Sequence, residues 1–193
     1  MLVVAAACGG GDDDGGGASD TSSTTSTRPP KTTTAESTTT TTVLTQEEIV
    51  RREAVRLIGV RNDVRMHPDP NRVTEYVITL CECYQQELQG VTGLVNDGRH
   101  WAGPALEVVG AITREVEGNS AVVELILRQP DTDQVDANGN VVIEGTLIER
   151  IPVRLNVTRT TPGGDQWIIT SWAFRDDWPE ETVNEIIEAG VPE

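Results

Sequence analysis

Tyr76, Asp97 and His100 are side chains of this sequence whose types and spacing could support proton-transfer chemistry. A carboxylate or an imidazole can act as a general base, and a tyrosine hydroxyl can donate a hydrogen bond to a developing oxyanion. Asp97 and His100 stand three residues apart at a predicted helix end, where the carboxylate could orient the imidazole. A histidine in the last turn of a helix is also typical of a solvated partner of the helix dipole, so both interpretations stay open.

Cys81 and Cys83 are residues of a type that serves metal binding or redox chemistry. Within a helix, a Cys-x-Cys pair projects its sulfurs about 200° apart, and within a strand the pair is too close for unstrained bridging. His67 or His100 could complete a metal site, but no ligand spacing supports one. We therefore expect the two cysteines to pack as small apolar residues, and we expect neither a metal nor a cofactor.

The segment from Asp131 to Asn140 carries oxygen-bearing side chains at alternating positions, as calcium loops do. Counted from Asp136, however, glycine falls at the fourth position instead of the sixth, and Leu147 stands where a bidentate glutamate belongs. Asn138-Gly139 between two apolar runs is typical of a hairpin tip. The segment is therefore predicted to be a turn.

Aromatic side chains could line a ligand pocket or an interface between molecules, and the candidates are Trp101, Trp167, Trp172 and Phe174. Strict alternation along the last predicted strand puts Trp172 and Phe174 on one face and Trp167 and Ile169 on the other. One of these faces must then leave the core. We expect it either to pack on the C-terminal helix or to form a homodimer surface.

Helical segments are predicted in the N-terminal half of the domain, and they should position Tyr76, Asp97 and His100. A capping box at Thr45 and Glu48 begins a helix with apolar residues at helical spacing, and this helix is predicted to end near residues 61–63. An aspartate followed by a proline predicts a short second helix over residues 70–80. A third helical stretch is predicted over residues 84–97.

Beyond Pro104 the apolar residues alternate, which predicts strands. The third of these is expected to kink at Gly145 or Pro152. We predict an α+β fold, in which N-terminal helices pack in a bent, cone-like, four-stranded antiparallel sheet and a short helix ends the chain. The predicted strands are Leu106–Glu117, Ser120–Gln129, Val141–Arg159 and Gln166–Phe174, and the final helix follows Trp178-Pro179.

Specific residues accompany the predicted order of helices followed by strands. Gly98 and the pair Gly103-Pro104 lead into the first long strand, and Ala121-Val122-Val123 and Gln166-Trp167-Ile168-Ile169 are strand signatures. Over about residues 45–174 the pattern resembles the nuclear transport factor 2-like superfamily, with its ketosteroid-isomerase-like and cystatin-like members. The resemblance implies a cone with a pocket at its open end. Because that superfamily includes enzymes, binding modules and dimerisation platforms, the resemblance alone does not decide the function.

Cys8 follows an apolar run that ends in Ala5-Ala6-Ala7 and precedes a run of glycines. This arrangement resembles the lipobox of bacterial lipoproteins, in which the cysteine is acylated and becomes the mature N-terminus. No Lys or Arg precedes Cys8, so the basic front of a signal peptide is missing and we expect the reading frame to begin further upstream. Residues 1–8 are interpreted as a truncated signal peptide with a lipid attachment site. The alternative interpretation is a frayed N-terminus.

Residues 9–44 are mainly Gly, Asp, Ser and Thr with almost no apolar side chain, and we predict a disordered tether. Residues 45–193 are predicted to be a single α+β domain, which carries 26 acidic and 13 basic residues. This negative charge opposes binding to nucleic acid and to anionic lipid headgroups. A lipid on Cys8 would be the link to the membrane, so we expect the protein at the cell membrane, anchored on its extracytoplasmic face.

The sequence thus predicts a membrane-anchored lipoprotein whose domain binds a ligand or a protein, with no evident catalytic motif. The expected partner is a small apolar ligand or a cell-envelope protein. The alternative is a small-molecule enzyme of isomerase or dehydratase type that uses the cone pocket. An enzyme requires Asp97 or His100 in an apolar cavity, whereas a binding module leaves both solvated.

Overall fold

The computed structural model describes residues 44–192. The predicted lipidation residue Cys8, the signal segment 1–8 and the tether, except for Leu44, lie outside the described residues. None of the described helices is long and apolar enough to cross a membrane. The elements are α1 (Gln46–Met66), a 3-10 helix (Pro70–Glu75), α2 (Glu82–Asn96), β1 (Arg99–Trp101), β2 (Glu107–Glu117), β3 (Ser120–Gln129), β4 (Gln134–Asp136), β5 (Val141–Ile143), β6 (Ile148–Arg159), β7 (Trp167–Phe174) and α3 (Glu180–Ala189).

The helix starts follow the predicted caps, but the ends differ. The Thr45 hydroxyl accepts a hydrogen bond from the Glu48 backbone N–H at 3.2 Å, and α1 then continues past its predicted end to Met66. The 3-10 helix stops at Glu75, well before residue 80, because the chain after it pairs with β7. There the Ile169 N–H donates to the Tyr76 carbonyl at 2.9 Å. This pairing fixes the position of Tyr76.

The predicted α+β architecture with a four-stranded antiparallel sheet is confirmed. The main sheet has the antiparallel order β2-β3-β6-β7, which is chain order, and α1 and α2 pack against its inner face. Asn62 of α1 ties that helix to the start of β2. Its Nδ2 donates to the Leu106 carbonyl at 2.6 Å, and its Oδ1 accepts from the Leu106 N–H at 3.1 Å. The buried amide is therefore used in joining helix to sheet.

A second, three-stranded sheet with the order β1-β4-β5 was not predicted. It takes the first part of the predicted strand 141–159, which breaks between β5 and β6. Gly145 lies in this break, and a Cβ there would overlap the backbone of Asp131. The crossing of the two segments therefore requires glycine.

The hairpin tip between β4 and β5 confirms the predicted turn at Asn138-Gly139, where Gly139 has a φ of 83°. The Asp136 carboxylate accepts from the backbone N–H groups of Asn138 and Asn140 at 2.8 and 2.9 Å. The hydrogen bond from the Asn140 side chain, together with these two from the backbone, holds the pKa of Asp136 below its usual range. Within residues 44–192 no group of three or more His, Cys, Asp or Glu residues could hold a metal ion.

A β-bulge in β7 makes the prediction of its two faces wrong. The register shifts between Asn156 and Val157 because Thr170 is an extra residue of β7. A shift of one residue turns every later side chain to the other face of the sheet. The four side chains that were predicted on opposite faces therefore share the inner face: Trp167, Ile169, Trp172 and Phe174. The homodimer that their predicted exposure suggested stays an untested prediction.

Deleting Thr170 should restore strict alternation and turn Trp172 and Phe174 towards the outer face. We expect a loss of about 2 kcal/mol in the free energy of unfolding, since the Trp172 ring loses its packing against the core. The chemical shift of the Trp172 indole N–H, assigned with Trp172→Phe, reports the move. Deleting the exposed turn residue Gly163 is the control, and an unchanged Trp172 signal after Thr170 deletion would contradict the role of the bulge.

The prediction that Cys81 and Cys83 do not bridge is wrong, because the structure joins them in a disulfide with Cα atoms 5.1 Å apart. Cys81 is not within the helix. It is the N-cap of α2, with extended backbone at φ −77° and ψ 138°, so the helical separation of the two sulfurs does not apply. Cys81 is nevertheless a buried member of the main core, as predicted.

Candidate functional site

A cavity opens beside the core, between α2 and the end of the main sheet. The cavity volume open to the centre of a water-sized molecule is about 170 Å³. Apolar side chains from the inner face of the sheet form most of the wall, among them Leu127, Ile151 and Ile169. Five side chains with polar groups also line it: Arg61, Tyr76, Gln86, Glu87 and Gln129. A mostly apolar cavity with a few convergent polar groups is the usual form of a small-molecule site.

The polar side of the cavity is a charge cluster centred on Glu87, here called the Glu87 cluster. Nε and Nη2 of Arg61 both donate to Glu87 Oε1 at 3.1 Å. Arg65 Nη2 and the Tyr76 hydroxyl each donate to Glu87 Oε2 at 2.9 Å. The side chain of Glu87 is 17% exposed and those of Arg61 and Arg65 are 13% and 15% exposed. Four hydrogen bonds thus occupy both oxygens of one largely buried carboxylate.

Helix geometry brings these charges together. Arg61 and Arg65 are one turn apart on α1 and point at α2, which carries Glu87. Gly90 of α2 makes room for the second guanidinium, because a Cβ there would lie 3.2 Å from Arg65 Nη2. A glycine that weakens the helix propensity of α2 therefore admits a buried cation.

The ionisation of the Glu87 cluster follows from burial and charge. Burial by itself raises the pKa of the Glu87 carboxyl, but Arg61 and Arg65 outweigh it and hold that pKa below its usual range. Burial and the nearby carboxylate raise the pKa of the Tyr76 hydroxyl. Burial lowers the pKa of Arg61, although Glu87 partly offsets the effect. At neutral pH the cluster therefore holds two guanidinium groups, one carboxylate and one neutral phenol.

Two aromatic rings continue the site from Arg61 towards solvent. The Arg61 guanidinium carbon lies 5.3 Å from the centroid of the Trp172 ring, within the range of a cation–π contact. Trp172 meets Phe174 edge to face with 6.1 Å between ring centroids. Phe174 is 62% exposed, so the apolar wall reaches the rim of the cavity.

The structure brings together four of the residues that the sequence singled out. The same cavity is lined by Tyr76, Cys83, Trp172 and Phe174. Trp167 lies in the core instead, with the Arg159 guanidinium carbon 5.0 Å from its ring centroid. Trp101 belongs to β1 in the second sheet and does not line the cavity.

Asp97 and His100 are not joined. Asp97 is the C-cap of α2 and forms an ion pair with Arg99 at 2.7 Å. His100 lies on β1 opposite Val135, and no hydrogen bond within the described residues links it to Asp97. Neither side chain lines the cavity. This placement does not meet the requirement stated above for an enzyme that uses Asp97 or His100, since neither lies in the apolar cavity.

Acidification should destabilise the domain partly through Glu87. A carboxyl whose folded pKa is lowered stabilises the fold above its unfolded pKa of about 4.3, and this stabilisation is lost as pH falls through the folded value. We expect a smaller loss of stability below about pH 4.3 in Glu87→Gln than in the wild-type protein. Urea unfolding between neutral and acid pH measures both slopes, and equal slopes would contradict an ionised Glu87.

No protein-family model matches the chain, and comparison with curated proteins gives no match. Among solved structures, the chain is similar to Aln2 from a Streptomyces species, with 11% identity and a TM-score of 0.45 over 69% of this chain and 93% of Aln2. It is also similar to a nuclear transport factor 2 (NTF2-like) superfamily protein from Salmonella enterica serovar Typhimurium. The identity is 13% and the TM-score 0.40, over 65% of this chain and 89% of that protein. Neither similarity indicates what this chain binds.

Proposed function

We propose that this chain is a membrane-anchored, extracytoplasmic binding protein that holds a small, largely apolar molecule in the cavity without transforming it. One observation carries the proposal. The cavity wall is apolar, and the Glu87 carboxylate beside it has both oxygens engaged by protein donors. Such a site offers contact area and orientation.

Isomerase or dehydratase chemistry, the alternative, receives less support from this geometry. A general base works best with a pKa near the operating pH, but Arg61 and Arg65 hold the pKa of Glu87 below its usual range. The Tyr76 hydroxyl donates its hydrogen bond to Glu87, so it is not available to stabilise an oxyanion. Binding without proton transfer therefore fits the residues better.

A neutral fluorescent probe, N-phenyl-1-naphthylamine, tests the binding proposal. We expect saturable fluorescence enhancement with the wild-type protein. The enhancement should be lost in Ile151→Trp, because the indole ring fills space in the cavity that the smaller isoleucine leaves open. Val142→Trp is the matched control, because it adds the same ring at an exposed position of β5. Absent binding, or equal binding by Ile151→Trp and the wild type, would contradict the proposal.

The anchor is tested separately through Cys8, in the full chain with a complete signal peptide ahead of Met1. The lipobox-like sequence around Cys8 supports lipidation, and two changes are expected in Cys8→Ser. Intact mass should lose the increment of the acyl glyceryl group, and the protein should leave the membrane fraction. A soluble wild-type product without added mass would overturn the proposed location.

A further inference from the structure

Arg61 has one hydrogen-bonding edge that the protein does not use. Its Nε and Nη2 donate to Glu87, whereas Nη1 has no acceptor among the described residues. Nη1 is also not among the fully buried side-chain atoms that lack a partner, so it keeps some contact with solvent although the Arg61 side chain is only 13% exposed. Because Arg61 lines the cavity, these two N–H groups are available to a molecule bound there.

The charge around Arg61 also favours an anionic ligand, because the Glu87 cluster has a net positive charge. Among residues 44–192, Arg61 and Arg65 form ion pairs with a single carboxylate, that of Glu87, although the domain as a whole is strongly acidic. Glu87 is the acidic residue among those that line the cavity, and its oxygens are already occupied. A largely buried guanidinium is stabilised by a further anionic partner.

We propose that the ligand of this cavity is an amphipathic monocarboxylate, whose carboxylate accepts from Arg61 Nη1 and whose apolar body lies along Trp172 and the sheet. The inference rests on the binding function proposed above. One accessible pair of N–H groups and a single excess positive charge suit one carboxylate better than a dianion. The side-chain amides of Gln86 and Gln129 line the same cavity and can donate to its oxygens. The stacking of Arg61 on Trp172 holds the guanidinium in place before the ligand arrives.

Displacement of N-phenyl-1-naphthylamine by octanoate, methyl octanoate and 1-octanol at neutral pH tests the inference. We expect octanoate to displace the probe at roughly 10-fold lower concentration than either neutral compound, as for a hydrogen bond to a charged group. Arg61→Gln should remove this preference while 1-octanol still competes. Arg159→Gln should keep it, because Arg159 also stacks on a tryptophan but lies outside the cavity.

The outcomes separate the two proposals. Equal displacement by the three compounds from the wild-type protein would overturn the carboxylate inference and leave the binding function standing. A preference that persists in a folded Arg61→Gln would also overturn it. If the wild-type protein does not bind the probe, both proposals fail. The comparison of octanoate with methyl octanoate needs no variant, so an Arg61→Gln protein that does not fold leaves the inference testable.

Discussion

Glu87→Ala is expected to lower the free energy of unfolding at neutral pH by about 3 kcal/mol. This value is the lower end of the range measured when one partner of a buried ion pair is removed. The change leaves two largely buried guanidinium groups next to each other, with no carboxylate between them. It also removes the acceptor of the Tyr76 hydroxyl. Each of these groups then carries a desolvation penalty without compensation. Urea unfolding at pH 7 measures the loss.

Glu185→Ala is the matched control for this prediction. Glu185 also pairs with an arginine, Arg114, but its side chain is 54% exposed and Arg114 keeps its second partner, Glu124. Exposed ion pairs contribute little to stability, so we expect a minor change. A loss in Glu87→Ala no larger than in Glu185→Ala would contradict the description of the Glu87 cluster as buried and mutually dependent.

Gly110→Ala should be nearly as damaging, although it adds only one methyl group. A Cβ at Gly110 would overlap the backbone carbonyl of Ile186 in α3. The helix is held at this place by a hydrogen bond from the Ala111 N–H to the Gly190 carbonyl at 3.1 Å. Backbone atoms cannot rotate away, so α3 must shift from the sheet and expose Ile126 beneath it. We expect a loss of about 3 kcal/mol, the upper part of the range for overpacking.

Gly93→Ala provides the control with the same chemical change. Nothing lies within 4 Å of a Cβ at Gly93, which is inside α2. Replacing a helix-interior glycine by alanine is expected to stabilise the fold by up to about 1 kcal/mol. Limited proteolysis should release α3 from Gly110→Ala and leave Gly93→Ala intact. Equal stability of the two variants would contradict the close docking of α3.

The fold class could be predicted from the sequence because the patterns that indicate helices and strands are local. Capping at Thr45, apolar periodicity in the helices and alternation in the long strands each act over a few residues. The second sheet was missed because β1, β4 and β5 have three residues each, too few for a visible period. The faces of β7 were misassigned because the bulge at Thr170 has no signal of its own in the sequence.

The candidate site was only partly predictable for a different reason. Tyr76, Trp172 and Phe174 attract attention by residue type, whereas Arg61 and Glu87 resemble ordinary charged residues of a helix surface. A signal was present. Arg61 continues the buried stripe of α1, one turn after Leu57, and Glu87 stands one turn before the buried Val91 of α2. Two opposite charges on apolar faces of different helices indicate a buried pair, but which helices meet is decided by tertiary packing.

The central claim is that the cavity beside Trp172 binds an apolar molecule, and indole N–H chemical shifts test it most directly. The wild-type protein with ¹⁵N-labelled tryptophan is titrated with 1-octanol. We predict a saturable shift of the Trp172 signal and none of the Trp178 signal. Trp178 does not line the cavity and packs instead against the buried group of Ile126, Val183 and Ile186 between α3 and the sheet. An unchanged Trp172 signal, or equal shifts at Trp172 and Trp178, would contradict the account.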